Sequence, residues 1–277
     1  MEQPPNSNRL PSGPDRRGLT GYGVGFGELV LVVAAGIALA PLGWALALAV
    51  SAGPSPWSAF FRALAAAPLA RYLLNSLLVS GVTALGQVAV ATPAAYVFAR
   101  LRFPGRDGLF ALYLGTLIIP HHVTLLPAFL LMRWLGWLDH YQALVVPALA
   151  HPFALFVLRQ FFLSVPPELE DAARMDGCSR WMVLLRVLLP LSRPALVTVG
   201  LFSFLWSWNS FLWPLVVLQT PTRYTLPVGL AMLQSEVGTD WPVLMAAALI
   251  AATPVLLLFL FAQRSLVHSI TFAEGST

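Results

Sequence analysis

The segment SVPPELEDAARMDGCSRWMVLLRVLLPLSRP, residues 164–194, is the longest connection between two apolar runs of this chain. Pro166 and Pro167 are typical of a helix start, and the three acidic residues that follow favour the positive end of a helix dipole. Gly177 suits the left-handed position just past a helix end, so the pattern predicts a short helix of about ten residues.

The composition around this segment is that of a membrane protein. Of 277 residues, 58% are hydrophobic and 10% are charged, whereas soluble domains carry about 25% charged residues. The mean hydropathy is +0.76. So few charges cannot cover a water-soluble surface, and we expect most of the chain to be solvated by lipid.

Apolar stretches long enough to cross a bilayer, about 20 residues each, occur six times. Stretches this long and this continuously apolar fit helices better than the alternating strands of a barrel. The sequence therefore predicts an all-α integral membrane protein with six transmembrane helices, at residues 28–50, 72–99, 109–132, 141–163, 195–218 and 242–262.

The basic residues set the expected orientation, because short cytoplasmic loops are enriched in positive charge. With the amino terminus inside, four arginines fall outside, Arg62, Arg71, Arg133 and Arg223, and twelve fall inside. The inner ones are Arg9, Arg16, Arg17, Arg100, Arg102, Arg106, Arg159, Arg174, Arg180, Arg186, Arg193 and Arg264. Both termini and segment 164–194 are thus predicted to be cytoplasmic.

This pattern divides the chain into three predicted parts. Residues 1–26 are polar, rich in proline and without an apolar period, and we expect a flexible cytoplasmic tail. Residues 27–71 hold the first transmembrane helix and a short outer loop, and residues 72–277 form a core of five transmembrane helices with the loop at 164–194. In that loop a second helix is predicted from Ser179, lying along the membrane surface until Pro190 and Pro194 break it.

Several chemistries are excluded by residue type. All sixteen basic residues are arginine, and without lysine the chain can form neither a P-loop nor a Schiff base. Cys178 is the single cysteine, which excludes an intrachain disulfide and a multi-cysteine metal site.

The loop also carries a recognisable spacing. DAARMDG, then nine residues, then VLLP resembles the cytoplasmic signature of binding-protein-dependent ABC importer permeases, the EAA motif. The matching positions are Asp171, Ala172, Ala173, Gly177, Val187, Leu189 and Pro190. Aspartate replaces the leading glutamate, with Glu170 adjacent, and valine replaces isoleucine.

The resemblance covers about residues 72–271, through stretches such as YLLNSLLVS, WNSFLWPL and YTLPVGL. It is similar to the second permease subunit of carbohydrate importers, the branch of the maltose and glycerol-phosphate systems. Two ends depart from that pattern. The segment SAGPSPWSAFF after the first span is short, and the ending ITFAEGST lacks the usual glycines.

The resemblance implies a type I ABC importer permease fold whose short cytoplasmic helix is the coupling helix. It implies a non-catalytic subunit of the bacterial inner membrane that imports a sugar or sugar-like osmolyte by alternating access. Its partners would be a homologous permease, two ATPase subunits that bind ATP and Mg, and an extracytoplasmic binding protein. This chain would hold no cofactor and no metal. The residues expected to couple to the ATPase are Glu170, Asp171, Ala172, Ala173, Met175, Asp176, Gly177 and Pro190.

Polar and aromatic groups at membrane depth are costly there and usually face a cavity or a partner helix. The candidate residues of the solute pathway are Asn75, Gln87, Ser203, Trp206, Asn209 and Trp213. Trp206, Asn209 and Trp213 share one helical face, where indole and amide groups suit a sugar ring. The alternative is structural, because Ser and Asn commonly join helices and Trp commonly marks the membrane interface.

Other functions remain to be compared with this one. Glycerol phosphate or a related polyol ester would need cations in the pore, yet the arginines lie mostly at span ends. An ion-coupled carrier would need intramembrane acids, and the six predicted spans hold essentially none beyond Glu28. A membrane enzyme would need a catalytic cluster that the sequence does not show. His121, His122 and His151 match no metal motif, and we expect them to join helices or line a cavity.

Overall fold

The apolar runs form helices throughout the part of the chain that the structure describes, residues 23–51, 53–66, 68–234 and 239–274. The structure is a computed structural model, and of residues 23–26 and 264–274 it describes only the backbone. Within these ranges no strand occurs, which confirms the predicted all-α class. Residues 1–22 of the predicted tail, with Arg9, Arg16 and Arg17, lie outside the described residues.

The first half of the chain begins with two long helices joined by a short one. Its helices are α1 (Gly23–Ser51), α2 (Ser58–Ala66), α3 (Leu69–Arg100), α4 (Arg106–Gly115) and α5 (His121–Trp134). A single 3-10 turn, Thr116–Ile118, extends α4.

The second half consists of shorter helices until the last one. They are α6 (Gln142–Ala148), α7 (Pro152–Ser164), α8 (Pro167–Met175), α9 (Arg180–Val183), α10 (Leu189–Leu191), α11 (Arg193–Trp208), α12 (Leu212–Val217), α13 (Leu226–Ala231) and α14 (Trp241–Glu274). A π-helix, Leu184–Leu188, joins α9 to α10, and a 3-10 turn, Pro221–Arg223, precedes α13.

Four helical stretches are long and apolar enough to cross a membrane: Gly27–Ser51, Leu69–Arg100, Gln142–Ser164 and Trp241–Gln263. Two further candidates are bent pairs. Arg106–Ile118 and His121–Trp134 meet at 98°, and Arg180–Leu191 and Arg193–Trp208 meet at 79°. The described residues thus hold four candidate spans, and up to six if each bent pair crosses once, so the count of six stays a prediction.

The predicted span at 109–132 forms two helices that meet at a bend, because the chain breaks where Ile119 precedes Pro120. Ile119 is extended, with φ −74° and ψ 117°, as the residue before a proline prefers. The predicted span at 195–218 is also interrupted, since α11 ends at Trp208 and α12 begins only at Leu212. The length of an apolar run indicates the length of a membrane-buried segment, but it does not indicate where that segment bends.

The centre of the fold is α3, a helix of 32 residues. It packs against α7 and α11, and also contacts α6 and α13. Along its carboxyl-terminal half Ala91, Ala95 and Ala99 are buried, and small residues of this kind let helix backbones approach closely in membranes. The amino-terminal α1 packs on α14 and leaves most of its side chains exposed, as a lipid-facing helix does.

Candidate functional site

The predicted loop helix is present as α8, nine residues long, with Glu168 and Glu170 in its first turn. Pro167 opens it at a position where the missing N–H has no helical partner to lose. Apart from Glu170 and Ala173, its side chains are all exposed. Most of the surface of this helix is therefore available for contact with another molecule.

The end of α8 has the geometry that the sequence predicts. Gly177 has φ +82°. The N–H of Cys178 donates to the Ala173 carbonyl at 3.0 Å, and the N–H of Gly177 donates to the Arg174 carbonyl at 3.0 Å. These two bonds form a Schellman motif, which satisfies carbonyls at the end of the helix and turns the chain toward the next segment.

Glu170 faces the fold and not the surface. Its side chain is 4% exposed, and one carboxylate oxygen lies 2.6 Å from Nε of Arg100. The other oxygen accepts a bond of 3.3 Å from Nη2 of Arg174. Glu170, one of the predicted coupling residues, is therefore paired within this chain, whereas the side chain of the neighbouring Asp171 is exposed at the surface.

The remaining predicted coupling residues divide in the same way. Asp171, Ala172, Met175 and Asp176 are exposed, and Met175 keeps 85% of its surface. Ala173 is half-buried and packs, with Cys178, against the core at the inner ends of α3 and α7. The packing of Ala173 against the core of this chain is therefore one reason for a small side chain at this position.

The second loop helix ends at Leu191, between the two prolines expected to break it, although Pro190 does not itself interrupt the helix. Pro190 lies inside α10, directly after the π-helix, in which the N–H of Leu189 reaches back five residues to the Leu184 carbonyl. Proline removes one helical hydrogen bond and crowds the carbonyl four residues earlier, and the wider turn accommodates it. The chain bends instead at Ser192, which separates α10 from α11.

Two of the predicted pathway residues form a buried junction. Gln87 is 3% exposed and its Nε2 donates to the Ala148 carbonyl at 2.7 Å. The hydroxyl of Ser203 donates to Oε1 of Gln87 at 2.5 Å. Both side chains are hydrogen-bonded within the fold and join α3, α6 and α11, which is the structural alternative.

Two other predicted pathway residues also hold the fold together. Nδ2 of Asn75 donates to the carbonyls of Thr222 and Tyr224 at 3.0 and 2.9 Å. The indole N–H of Trp213 donates to the Ala143 carbonyl at 2.9 Å. Trp213 is displaced from Trp206 and Asn209 because α11 ends between them, so the predicted three-residue face is wrong.

Trp206 and Asn209 remain as exposed groups at the end of α11. Trp206 is 69% exposed, and its ring lies 5.5 Å from that of His151. Asn209 is exposed and bonds to the Leu205 carbonyl at 2.9 Å. An indole, an imidazole and an amide at membrane depth can contact both the C–H face and the hydroxyls of a sugar.

None of the histidines whose side chains the structure describes belongs to a group that could hold a metal ion. His121 and His122 are exposed in the first turn of α5. Among the described residues no group of three His, Cys, Asp or Glu side chains is placed to hold a metal ion.

A hydrogen-bond network around Asp139, in a loop predicted to lie on the outer side, was missed by sequence reasoning. The carboxylate of Asp139 accepts bonds from the N–H groups of Gln219 and Thr220 at 2.9 Å, and one of 2.6 Å from the Thr220 hydroxyl. Arg223 lies 3.1 Å away. Desolvation favours the protonated acid, but these bonds and the charge of Arg223 outweigh it and lower the pKa of Asp139 to about 2. The signal available in the sequence was a single acidic residue, Asp139, in a short loop predicted to lie on the outer side.

Comparison with known proteins agrees with this arrangement. Residues 87–271 match the family described as binding-protein-dependent transport system inner membrane component. The chain is 38% identical over 197 residues to the arabinooligosaccharides transport system permease protein AraQ of Halalkalibacterium halodurans, covering 71% of each chain. It is 33% identical over 208 residues to the sn-glycerol-3-phosphate transport system permease protein UgpE of Agrobacterium fabrum, covering 74% of each chain.

The fold is also found in a solved structure. A chain of a bacterial ABC transporter involved in the import of the acidic polysaccharide alginate superimposes with a TM-score of 0.76 at 24% identity. The match covers 87% of this chain and 95% of that one. The overall fold of this chain is therefore one already seen in a solved structure.

Proposed function

The chain belongs to the family of inner membrane components of binding-protein-dependent transport systems, and from this premise we propose that it is the permease of an ATP-driven importer for a sugar or sugar-like osmolyte. The observation that carries the proposal is α8, an exposed helix with an acidic first turn and a glycine-capped end. The name of one relative, which refers to arabinooligosaccharides, supports the sugar class, and the name of another, which refers to glycerol 3-phosphate, corresponds to the alternative.

The complete importer needs other subunits. Without lysine this chain has no P-loop, so ATP and Mg would be bound by two ATPase subunits. A homologous permease would complete the pore, and an extracytoplasmic binding protein would deliver the solute. Twelve of the sixteen arginines on one side support both termini in the cytoplasm of a bacterial inner membrane.

In this proposal α8 is the coupling helix, and its exposed side chains dock on the ATPase. Asp171 and Asp176 supply negative charge, Ala172 permits close approach, and Met175 supplies an adaptable apolar contact. Closure of the ATPase dimer on ATP would displace α8 and shift the permease from inward-open to outward-open. A ligand can shift such an equilibrium only through contacts that differ between the two states, and α8 provides them.

The solute pathway of this chain is assigned to the exposed end of α11, with Trp206 and Asn209, and to His151 beside them. The helix α11 carries one arginine, Arg193, at its first residue, far along the helix from Trp206. A phosphate ester prefers charge-assisted hydrogen bonds from cations. The group formed by Trp206, Asn209 and His151 therefore favours a neutral sugar over glycerol phosphate.

Docking is tested by crosslinking in the assembled importer. A cysteine replaces Ala172 in a Cys178→Ser background, and the same replacement of Ala65, exposed on α2 at the predicted outer side, is the matched control. We expect Ala172→Cys to crosslink to an ATPase subunit and Ala65→Cys not to. Uptake by proteoliposomes that contain this chain alone, or absence of the Ala172 crosslink, would reject the proposal.

The pathway assignment is tested by uptake kinetics. We expect Trp206→Ala to raise the KM for solute about tenfold, equivalent to a lost aromatic contact of about 1.4 kcal/mol, while Trp206→Phe retains most of the affinity. Trp44, which is 69% exposed on α1, gives the control Trp44→Ala. An equal effect at both tryptophans would remove Trp206 from the pathway.

The solute itself is identified through the binding protein. Calorimetric titration of the cognate binding protein with neutral mono- and disaccharides, polyols and glycerol phosphate separates the two classes of solute. Tight binding of glycerol phosphate alone would favour the alternative.

A further inference from the structure

Arg100, the last residue of α3, connects that helix to α8 and to the segment before it. Its Nε lies 2.6 Å from the carboxylate of Glu170, and its Nη2 donates to the Val165 carbonyl at 2.6 Å. The side chains of Arg100 and Glu170 are 12% and 4% exposed. The one buried side chain of α8 is therefore a charged group paired with the end of the central helix.

A buried ion pair is a poor source of stability, because desolvation of both charges offsets their attraction. Apolar side chains would fill the same position at no such cost. What the pair provides is a fixed geometry between two helices. Removal of Glu170 would leave Arg100 buried without a counter-charge, and removal of Arg100 would leave Glu170 paired only with the more exposed Arg174. A helix otherwise exposed on nearly all sides is thereby held in one place against α3.

The helix α3 continues this connection across the whole fold. In its middle, Gln87 is bonded to the Ala148 carbonyl and to Ser203. At its outer end, the hydroxyl of Ser76 accepts a bond of 2.7 Å from the N–H of Leu226, and Asn75 binds the backbone at Thr222 and Tyr224. A displacement of Arg100 would thus reach groups at the middle and at the outer end of the bundle.

We propose that Arg100 and Glu170 are positioning residues that pass the displacement of α8 to α3, so that ATP hydrolysis is coupled to solute movement. This inference rests on the proposed function, in which α8 docks on an ATPase. Loss of the pair leaves ATP hydrolysis intact and lowers the amount of solute moved per ATP.

The test uses the complete importer in proteoliposomes, with solute uptake and ATP hydrolysis measured on the same sample. We expect Glu170→Gln and Arg100→Met each to lower the ratio of solute to ATP about fivefold or more, the lower end of typical coupling between sites. Arg100→Lys, which keeps a cation, retains most of the ratio. Arg133→Met, which removes an exposed arginine on α5 away from α8, leaves the ratio unchanged.

The double variant Arg100→Met with Glu170→Gln separates coupling from stability. It leaves no buried unpaired charge, so its thermal unfolding temperature in detergent returns toward that of the wild type, while the solute-to-ATP ratio stays low. If the ratio recovers together with stability, the pair is only structural and the inference is overturned.

The single variants can fail in a second way. An unchanged ratio in both Glu170→Gln and Arg100→Met would also overturn the inference. Failure of the wild-type importer to couple uptake to ATP, or of α8 to crosslink to the ATPase, would instead reject the proposed function itself.

Discussion

The Ala148 carbonyl has no hydrogen-bond partner within its helix. In a continuous helix it would accept a bond from the backbone N–H of residue 152, but Pro152 has no N–H. The structure supplies the missing donor from Gln87 on α3. Nearby, Ser203 bonds to the other atom of the same amide. A single polar side chain thereby stabilises a helix break that would be unfavourable in lipid.

We expect Gln87→Ala to lower the free energy of unfolding by about 1–3 kcal/mol, the effect of leaving a buried acceptor unpaired. Thermal unfolding of the purified chain in detergent measures it. Gln160, exposed on α7, gives the matched control Gln160→Ala, which should unfold like the wild type. Equal unfolding temperatures for both variants would show that water replaces the Gln87 amide.

Asp139 predicts a pH dependence at the outer loops. Its pKa is lowered from 3.8 to about 2, so its contribution to stability is present above pH 3.8 and is lost as the pH falls toward 2. We expect thermal stability in detergent to decline over that interval, and Asp139→Asn to be less stable above it but to decline less steeply. Parallel pH profiles for the two proteins would contradict this role.

At the scale of one helix, the end of α8 depends on a conformation that glycine adopts readily. A side chain added at Gly177 would meet no atom within 4 Å, so only its φ of +82° penalises a substitution. We expect Gly177→Ala to destabilise the chain by about 1–2 kcal/mol and Gly177→Asn by less, since asparagine tolerates this region. Thermal unfolding separates the two.

Gly108 provides the comparison for that measurement. It also has open space around its Cα but lies in α4 without a positive φ, and Gly108→Ala should be neutral or slightly stabilising. If Gly108→Ala and Gly177→Ala destabilise equally, the φ of Gly177 is not the cause.

The elements also show what the sequence determines. The start of α8 at Pro167 and its end at Gly177 were predictable, because both depend on residues adjacent in the chain. The direction of Glu170 was not, since its partner Arg100 is seventy residues earlier. Asn75, Gln87, Ser203 and Trp213 were recognisable as polar groups at membrane depth, but only packing shows that they bond to backbone or to one another.

At the scale of the whole molecule, composition and arginine placement predicted a helical membrane protein with a defined orientation. The apolar runs could not show that the third expected span is bent by 98° or that the fifth is interrupted between Trp208 and Leu212. The Ile-Pro pair at residues 119–120 was a usable signal for the bend in the third span. The 79° bend at Ser192 precedes the fifth span and lies between Pro190 and Pro194, where the sequence predicted a break.

The orientation is testable through cysteine labelling. Cys178 is the single cysteine and lies just after α8, so we expect a membrane-impermeant maleimide to react with it in inverted vesicles and not in intact cells. In a Cys178→Ser background, Ser55→Cys, exposed between α1 and α2, should react in intact cells. The reverse pattern would place both termini outside.

The side chain of Gln87 bonds across the break between α6 and α7. We therefore expect this break to stay rigid and not to act as a hinge during transport. Across the bends at Ile119 and at Ser192, the described side chains bond only to backbone within the same local turn. We therefore expect the helices to flex at these two bends. Spin labels placed on either side of each bend should report the widest spread of distances.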